Sequence, residues 1–419
     1  MRIDAKINIL TLLLFCIIFF QLNAFYLIDN AQFPIQLQDM AIVLEVIFFL
    51  VVYRRKDQGK LREINGSFLI PVLLAFTSAI MSYIRYQQPF LMGIRAQRAW
   101  IVSMLMYYPI SMVIRQGRFS IHKLLNLVDG INFIYFVLLL AQFILGDRFM
   151  LLEISTNQRY GTIRLYAVTS FMLISYALHL WKLLTINHIK VVDCFFVFST
   201  IFTYFFITKS RMAMVALMGA TVIVVLKQRL SVRKLLIFSL AIFAFCIFLG
   251  TDAGTEILQL AFGGENVVTE NDTSVIRNIG RDFYISEVTS SLKTLIFGCG
   301  FINIEWEPTL KAVRYNENIF TVDNGIFGIV FMYGLLFLIW MVIMYCKYIK
   351  EAFIYKNDFG ICIFLVGILG CYSLYPECYQ NNIAFTITCV VFETLIYEYK
   401  DEKKNHMIEF EGEKTYGQG

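Results

Sequence analysis

Two arginines four residues apart, Arg277 and Arg281, sit in the stretch "DTSVIRNIGRDFYISEV" (272–288) of a chain that is otherwise mostly apolar. Side chains at that spacing share a helix face, where two guanidinium groups repel each other. The pair becomes favourable when an anion lies against it, because guanidinium grips phosphate or carboxylate through two parallel N–H bonds. Further arginines stand at Arg159 and Arg164 in "QRYGTIRLY" and at Arg211 in "TKSRMAMVAL". Asp323, in "TVDNGIFG", has the chemistry of a base or orienter, and equally of the N-cap of the helix that follows it. No DxD motif and no His/Cys cluster points to a metal ligand set, so no metal and no cofactor is expected.

The elements that must hold these residues are membrane helices. The 419 residues are 58% apolar and 16% charged, whereas soluble domains carry roughly 25% charge. The net charge of +5 does not mark a nucleic-acid binder, since in such a chain the placement of Lys and Arg in loops matters more than their sum. Nine cysteines form no CxxC pair. Most lie in apolar runs, where Cys acts as a small hydrophobe; Cys299 and Cys378 fall in loops.

A membrane-crossing helix takes about 20 apolar residues. Hydropathy marks twelve: 7–28, 38–53, 67–84, 98–114, 126–145, 165–184, 191–208, 211–227, 234–250, 324–346, 358–374 and 382–399. The expected fold is an all-α polytopic membrane protein with a single transmembrane domain over 1–399 and a disordered tail over 400–419. Loop charge orients it: with the N-terminus in the cytoplasm, 23 of the 36 Lys and Arg fall inside and 13 outside, and both termini are cytoplasmic. Ten of those 13 are arginine: Arg85, Arg95, Arg98, Arg148, Arg159, Arg164, Arg211, Arg277, Arg281 and Arg314. Lysine suffices for topology, so this bias toward guanidinium points to an anion site on the external face, against the simpler reading of pairing with acidic side chains or lipid headgroups.

One external loop, 251–323, is far longer than the rest, and long loops are commonly functional. Within it Val275, Ile279, Phe283 and Val288 recur near helical spacing, which predicts a helix along the membrane surface with that stripe buried. Glu45, Asp129 and Glu393 fall inside expected spans and are read as structural pairings. Gly298, Gly300 and Gly325 suit tight turns and close helix packing. The four histidines, His122, His179, His188 and His406, all fall at or near the cytoplasmic side.

The order of these motifs, an external "QRYGTIRLY", then "TKSRMAMVAL", then a large loop with "RNIGRDFYISEV" and "LIFGCGF", then "TVDNGIFGIVFMYGLL" opening a span, resembles the O-antigen polymerase and ligase superfamily of integral-membrane glycosyltransferases. The resemblance covers residues 155–345. It implies a bacterial inner-membrane enzyme with its site facing the exterior, whose substrates are polyprenyl-pyrophosphate-linked oligosaccharides and whose further partner is a chain-length regulator. The polymerase branch would transfer a growing glycan onto a lipid-linked repeat unit for O-antigen, capsule or exopolysaccharide. The resemblance assigns pyrophosphate contacts to one arginine in each of two loops. Arg164 fits the first; Arg281, 17 residues before Gly298, or Arg277, 21 before it, fits the second. Arg281 is the expected contact, with Arg277, Arg211 and Arg159 as further pyrophosphate ligands and Asp323 beside them. Tyr160, Tyr166, Trp306 and Tyr315 are candidates for stacking on sugars. The ligase branch carries a His where this chain has Asp323-Asn324, and no external imidazole substitutes for it, which disfavours a ligase. A lipid flippase is the alternative of another class; it is expected to show repeated halves, and this chain has no internal repeat.

Overall fold

The computed structural model describes residues 2–22, 24, 26–28, 35–54, 65–146, 149–159, 162–186, 190–209, 211–227, 239, 250, 273–314, 319–321, 324–355, 358–363, 365 and 383–399. Helices α1 (Arg2–Gln21) and α2 (Leu37–Tyr53) flank a small hairpin of β1 (Tyr26–Ile28) and β2 (Ile35–Gln36). A 3₁₀ turn capped by Asn65 leads into α3 (Leu69–Tyr86), followed by the short α4 (Phe90–Ala96), α5 (Arg98–Leu105) and α6 (Tyr107–Arg115). Helix α7 (Ile121–Leu145) leads to a second hairpin, β3 (Thr156–Arg159) and β4 (Thr162–Leu165). Then come α8 (Ser170–Thr185), α9 (Val191–Phe202) with a π-helical turn at Thr203–Ile207, and α10 (Arg211–Lys227). The long loop contributes α11 (Thr273–Thr289), α12 (Leu292–Phe297) and α13 (Glu307–Ala312). Helix α14 (Gly325–Tyr355), α15 (Asp358–Cys362) and α16 (383–399) complete the bundle.

Three helices among the described residues are long and apolar enough to cross a membrane: Gly66–Tyr86, Ile121–Leu145 and Gly325–Ile354. Ile9–Gln21, Val191–Ile207 and Leu217–Leu226 are apolar but shorter. Their outward faces carry Leu12, Leu73, Ile80, Val137, Ile144, Ile339 and Ile343, each more than 45% exposed. Apolar surface on that scale is costly in water and suits contact with lipid.

Several element boundaries differ from the hydropathy reading. The span expected at 98–114 is two helices that break at Met106. The helix expected from 165 starts at Ser170, because residues 162–165 pair with β3 in register Asn157↔Arg164 and Thr156↔Leu165. Helix α14 runs on to Tyr355 and kinks at Gly334 (φ 73°, ψ −175°). Nearly all of the expected span 234–250, most of 358–374 and the tail 400–419 lie outside the described residues.

The kink in α14 is where the long loop docks. A break frees carbonyls that need donors: Phe331 O accepts from Cys299 N at 2.6 Å and Met332 O from Ser78 Oγ at 2.8 Å. The approach is close enough that only glycines fit. A Cβ at Gly298 would lie 2.7 Å from the α14 backbone, and one at Gly300 would collide with Ser82 of α3. Both also hold positive φ, +80° and +106°, so the turn needs glycine on two counts.

One end of the bundle collects the candidate residues. The backbone N of Glu153, in the segment before β3, donates to Ala24 O just after α1 at 2.9 Å. Asp39 at the start of α2 pairs with Arg98 at the start of α5, 3.1 Å from its Nε. The segment 301–309 sits on the end of α3 and on α4, through Asn303 Nδ2 to Met92 O (3.1 Å) and Trp306 Nε1 to Tyr86 O (3.2 Å). At the opposite end Glu393 of α16 accepts from Tyr107, from Tyr348 at 2.9 Å and from Asn65 at 2.9 Å. Glu45 accepts from Gln21 within the bundle. Both carboxylates have the structural pairings expected of intramembrane charge.

Candidate functional site

Arg164 is placed by a chain of local bonds. Gln142, near the end of α7, accepts from Leu151 N (2.6 Å) and Leu152 N (2.9 Å), which turns the chain back toward the hairpin. Tyr166 N donates to Ser155 O at 2.9 Å, and Val168 N to Tyr135 Oη at 3.2 Å. Alternation along β4 buries Leu165 and turns Arg164 the other way. There its Nε donates to Thr208 O at 2.8 Å and one Nη to Tyr166 Oη at 3.3 Å, and its guanidinium lies 4.4 Å from the Tyr166 ring centre. Thr208 follows the π-helical turn that ends α9, a geometry that recurs at functional sites. Among the described residues a carbonyl and a phenol are its hydrogen-bond partners, and they orient the guanidinium without a carboxylate to neutralise it.

The second cluster joins "RNIGRDF" to "TVDNG". Helix α11 buries Gly280, Tyr284 and Val288, while Val275 and Ile279 are exposed. The stripe expected from hydropathy is therefore rotated. Gly280 faces inward because Asn324 occupies the space a side chain would take: a Cβ there would lie 2.8 Å from Asn324 Nδ2 and 3.2 Å from its Oδ1. Asn324 Nδ2 donates to Phe320 O at 2.9 Å, and Asn324 N to Thr321 O at 3.2 Å. The same turn crosses Gly328, where a Cβ would collide with Thr321 O, and Gly325 holds φ +53°. Three glycines on two motifs thus seat the start of α14 against the helix that carries the arginine pair.

The pair itself divides. Arg281 Nε donates to the adjacent Asp282 Oδ1 at 3.2 Å, with its side chain 44% exposed. At about 100° per residue, Arg277 falls between Tyr284 and Val288 in the sector that faces the protein, one turn before that sector becomes covered. It is exposed, and among the described residues no carboxylate pairs with it.

Sorting the arginines by partner separates two kinds. Arg85 pairs with Glu287, Arg95 with Glu305 at 3.5 Å, and Arg98 with Asp39. These three, with Arg281, follow the simple acidic-pairing reading. Arg164 and Arg277 do not. The structure brings Arg164 together with Tyr166, and sets it on the turn that leads to Arg211. It brings the helix of Arg277 and Arg281 against Asn324. No hydrogen bond or ion pair among the described residues joins Arg164 to Arg277 or Arg281.

The side chains of Arg159 and Arg211 fall outside the described set, although their backbones lie in β3 and at the start of α10. Tyr160, Tyr315, Asp323 and Arg148 lie outside the described residues. Tyr166 is 45% exposed beside Arg164. Trp306 is held by its indole bond to Tyr86 O. Cys299 is a free, fully buried thiol. Burial pushes it up to about 12 against the pull of the nearby Arg85 charge, so it is inert as a nucleophile. Glu307 has its carboxyl held below the usual range by its hydrogen bond to Lys311. Sequence reasoning missed Gly280, Gly328 and Thr208. For the first two the only available signal is a glycine beside a polar motif, and a backbone carbonyl leaves no signal in side-chain type.

Compared with known proteins, the chain matches no protein-family model and no curated protein sequence.

Proposed function

We propose that the protein is a polysaccharide polymerase of the bacterial inner membrane, a twelve-span glycosyltransferase with cytoplasmic termini. It transfers a growing glycan from polyprenyl pyrophosphate onto a sugar hydroxyl of a lipid-linked repeat unit at the external face. The reading rests on the motif order described above. The observation that supports it most is Arg164: half-buried, oriented by Thr208 O and Tyr166, and not neutralised by a carboxylate among the described residues.

Breaking an anomeric C–O bond passes through an oxocarbenium-like state while negative charge builds on the departing pyrophosphate. Guanidinium groups aimed at that charge beforehand lower the barrier, because they need not reorganise during the step. Arg164 and Arg277 serve as that clamp, and Arg277 is preferred over Arg281 because Asp282 already occupies Arg281. Arg159, in β3, and Arg211, at the start of α10, are the further pyrophosphate ligands of this reading. Asp323, the sequence neighbour of Asn324, is the residue that orients the incoming hydroxyl in this reading.

Deleting the gene and resolving the surface polysaccharide on a gel tests the class. Chains of a single repeat support polymerisation. Normal polymer retained on lipid would mean a ligase, and undecorated repeats accumulating inside the cell would mean a flippase. For the residues, Arg164→Ala and Arg277→Ala are expected to abolish polymer at normal protein level, with Arg281→Ala milder. Wild-type chain lengths in both of the first two would sink the clamp.

A further inference from the structure

The buried charges of α7, α8 and α9 meet at one histidine. His179 Nδ1 lies 2.6 Å from Asp193 Oδ1, and its Nε2 lies 3.0 Å from Asp129 Oδ2. Ser175 Oγ donates to Asp129 Oδ1 at 2.6 Å, and Asn132 Nδ2 donates to Ser175 Oγ at 2.7 Å. The ring stacks on Phe196 with centres 4.5 Å apart. The side chains of His179, Asp129 and Asp193 are 3%, 14% and 5% exposed.

Hydrogens can be counted on this cluster. An ionised carboxylate only accepts, and a neutral imidazole has one N–H to give. Two nitrogen–carboxylate contacts need two hydrogens. The arrangement therefore holds one proton more than a neutral ring between two carboxylates, either on the ring or on one of the acids. Without it, one nitrogen lone pair would face a carboxylate inside an apolar bundle, which is strongly unfavourable.

We propose that Asp129, His179 and Asp193 form a proton-binding site that joins helices α7, α8 and α9. The site lies toward the end of the bundle opposite Arg164: Asp129 is about 12 Å along α7 from its start, and Asp193 about 3 Å into α9. Asp129, the most exposed of the three, is the port for the proton. Around the ring, α8 also carries Tyr176, whose hydroxyl is engaged by Thr221 at 2.7 Å, and Lys182 one turn on. Helix α9 adds Lys190 and Cys194 at its exposed start. Helix α15, which begins with Asp358, packs Phe359 on Trp181 and brings Cys362 beside Tyr176.

The site has a distant consequence through covalent continuity. Strand β4, with Arg164, leads directly into α8, and α9 ends in the turn whose Thr208 O holds Arg164. One helix pair is thus bolted at one end by His179–Asp193 and at the other by Arg164–Thr208. Losing the proton releases the first bolt and loosens the second. This step rests on Arg164 binding an anion; the proton site itself does not.

The test uses the full-length protein in lipid nanodiscs with ¹⁵N-labelled histidine, and His179→Gln to assign the signal. The expected result is a His179 ring protonated on both nitrogens, or a singly protonated ring with a carboxylic-acid infrared band that disappears in Asp129→Asn or Asp193→Asn. A singly protonated ring with no such band overturns the proposal. His179→Lys, which places a lasting positive charge between the carboxylates, should keep thermal stability closer to wild type than His179→Gln; equal losses would mean shape alone joins the helices and would also overturn it. Binding of inorganic pyrophosphate should weaken about tenfold in His179→Gln and much less in His179→Lys. Unchanged binding in His179→Gln removes the link to Arg164. Absence of binding in wild type would count against the anion clamp, leaving the nitrogen signals to decide the proton site.

Discussion

The two ends of the α8–α9 pair treat charge in opposite ways. At one end His179 is enclosed, each ring nitrogen facing a carboxylate and one of those carboxylates held further by Ser175. At the other, Arg164 is given a carbonyl and a phenol ring, and no acid among the described residues. The difference is not a shortage of acids near that end of the bundle, since Glu287, Glu305 and Asp39 are all there, each on another arginine. That the fold pairs Arg85, Arg95 and Arg98 with acids while Arg164 meets none among the described residues is what the proposed anion clamp builds on.

The sharpest way to break that contrast is at Arg164. Removing one preorganised donor from a site where charge develops costs about 10²–10³ in rate, so Arg164→Ala should leave no polymer detectable on a gel at normal protein abundance. Arg164→Lys keeps the charge and loses the fork, and should recover only a small part. Next in size is a stability effect where the loop docks. Gly300→Ala puts a methyl into Ser82 at φ +106° and should cost about 3 kcal/mol or more, read as loss of folded protein in detergent. Gly130, in α7 with nothing near its missing Cβ, is the control: Gly130→Ala should be neutral or stabilise by about 1 kcal/mol.

How much of this was legible depends on the range of the interaction. Apolar runs marked where helices lie, because burial in lipid acts on stretches of one chain. Gly298 and Gly300 could be read as close-packing positions from residue type. The sorting of the arginines could not, because Arg85 meets an acid 202 residues away. The face of α11 was misjudged for a related reason: apolar spacing favoured Val275 and Ile279, but Asn324 fills a hole that only Gly280 leaves. Asp129 and His179 were each visible and read separately, since 129, 179 and 193 share no local period. The turn at Thr208 acts through its backbone, which sequence does not display.

A smaller effect separates the glycine seat from ordinary packing. Gly280→Ala should push Asn324, and the start of α14 with it, away from the arginine helix, lowering polymer output by about tenfold, the scale of about 1.4 kcal/mol. The contact is with the end of a side chain rather than with backbone, so shortening that side chain should relieve it. The double variant Gly280→Ala with Asn324→Ala is expected to regain most of the output, and failure to regain any would mean that Asn324 has a role beyond filling the space.

The smallest effect belongs to an arginine that is already answered. Arg95 and Glu305 lie 3.5 Å apart with side chains 65% and 53% exposed. Exposed pairs of that kind contribute about 0.5 kcal/mol or less, because water and salt screen them and two long side chains must be ordered to hold them. Arg95→Ala should therefore leave polymer length unchanged and shift thermal stability barely above error. Arg95 and Arg164 are the same residue type at the same end of the bundle, so a large loss at Arg95 would mean that positive charge in general, rather than the unanswered guanidinium, carries the activity. Equal and small losses at both would mean that neither end of the comparison bears on function.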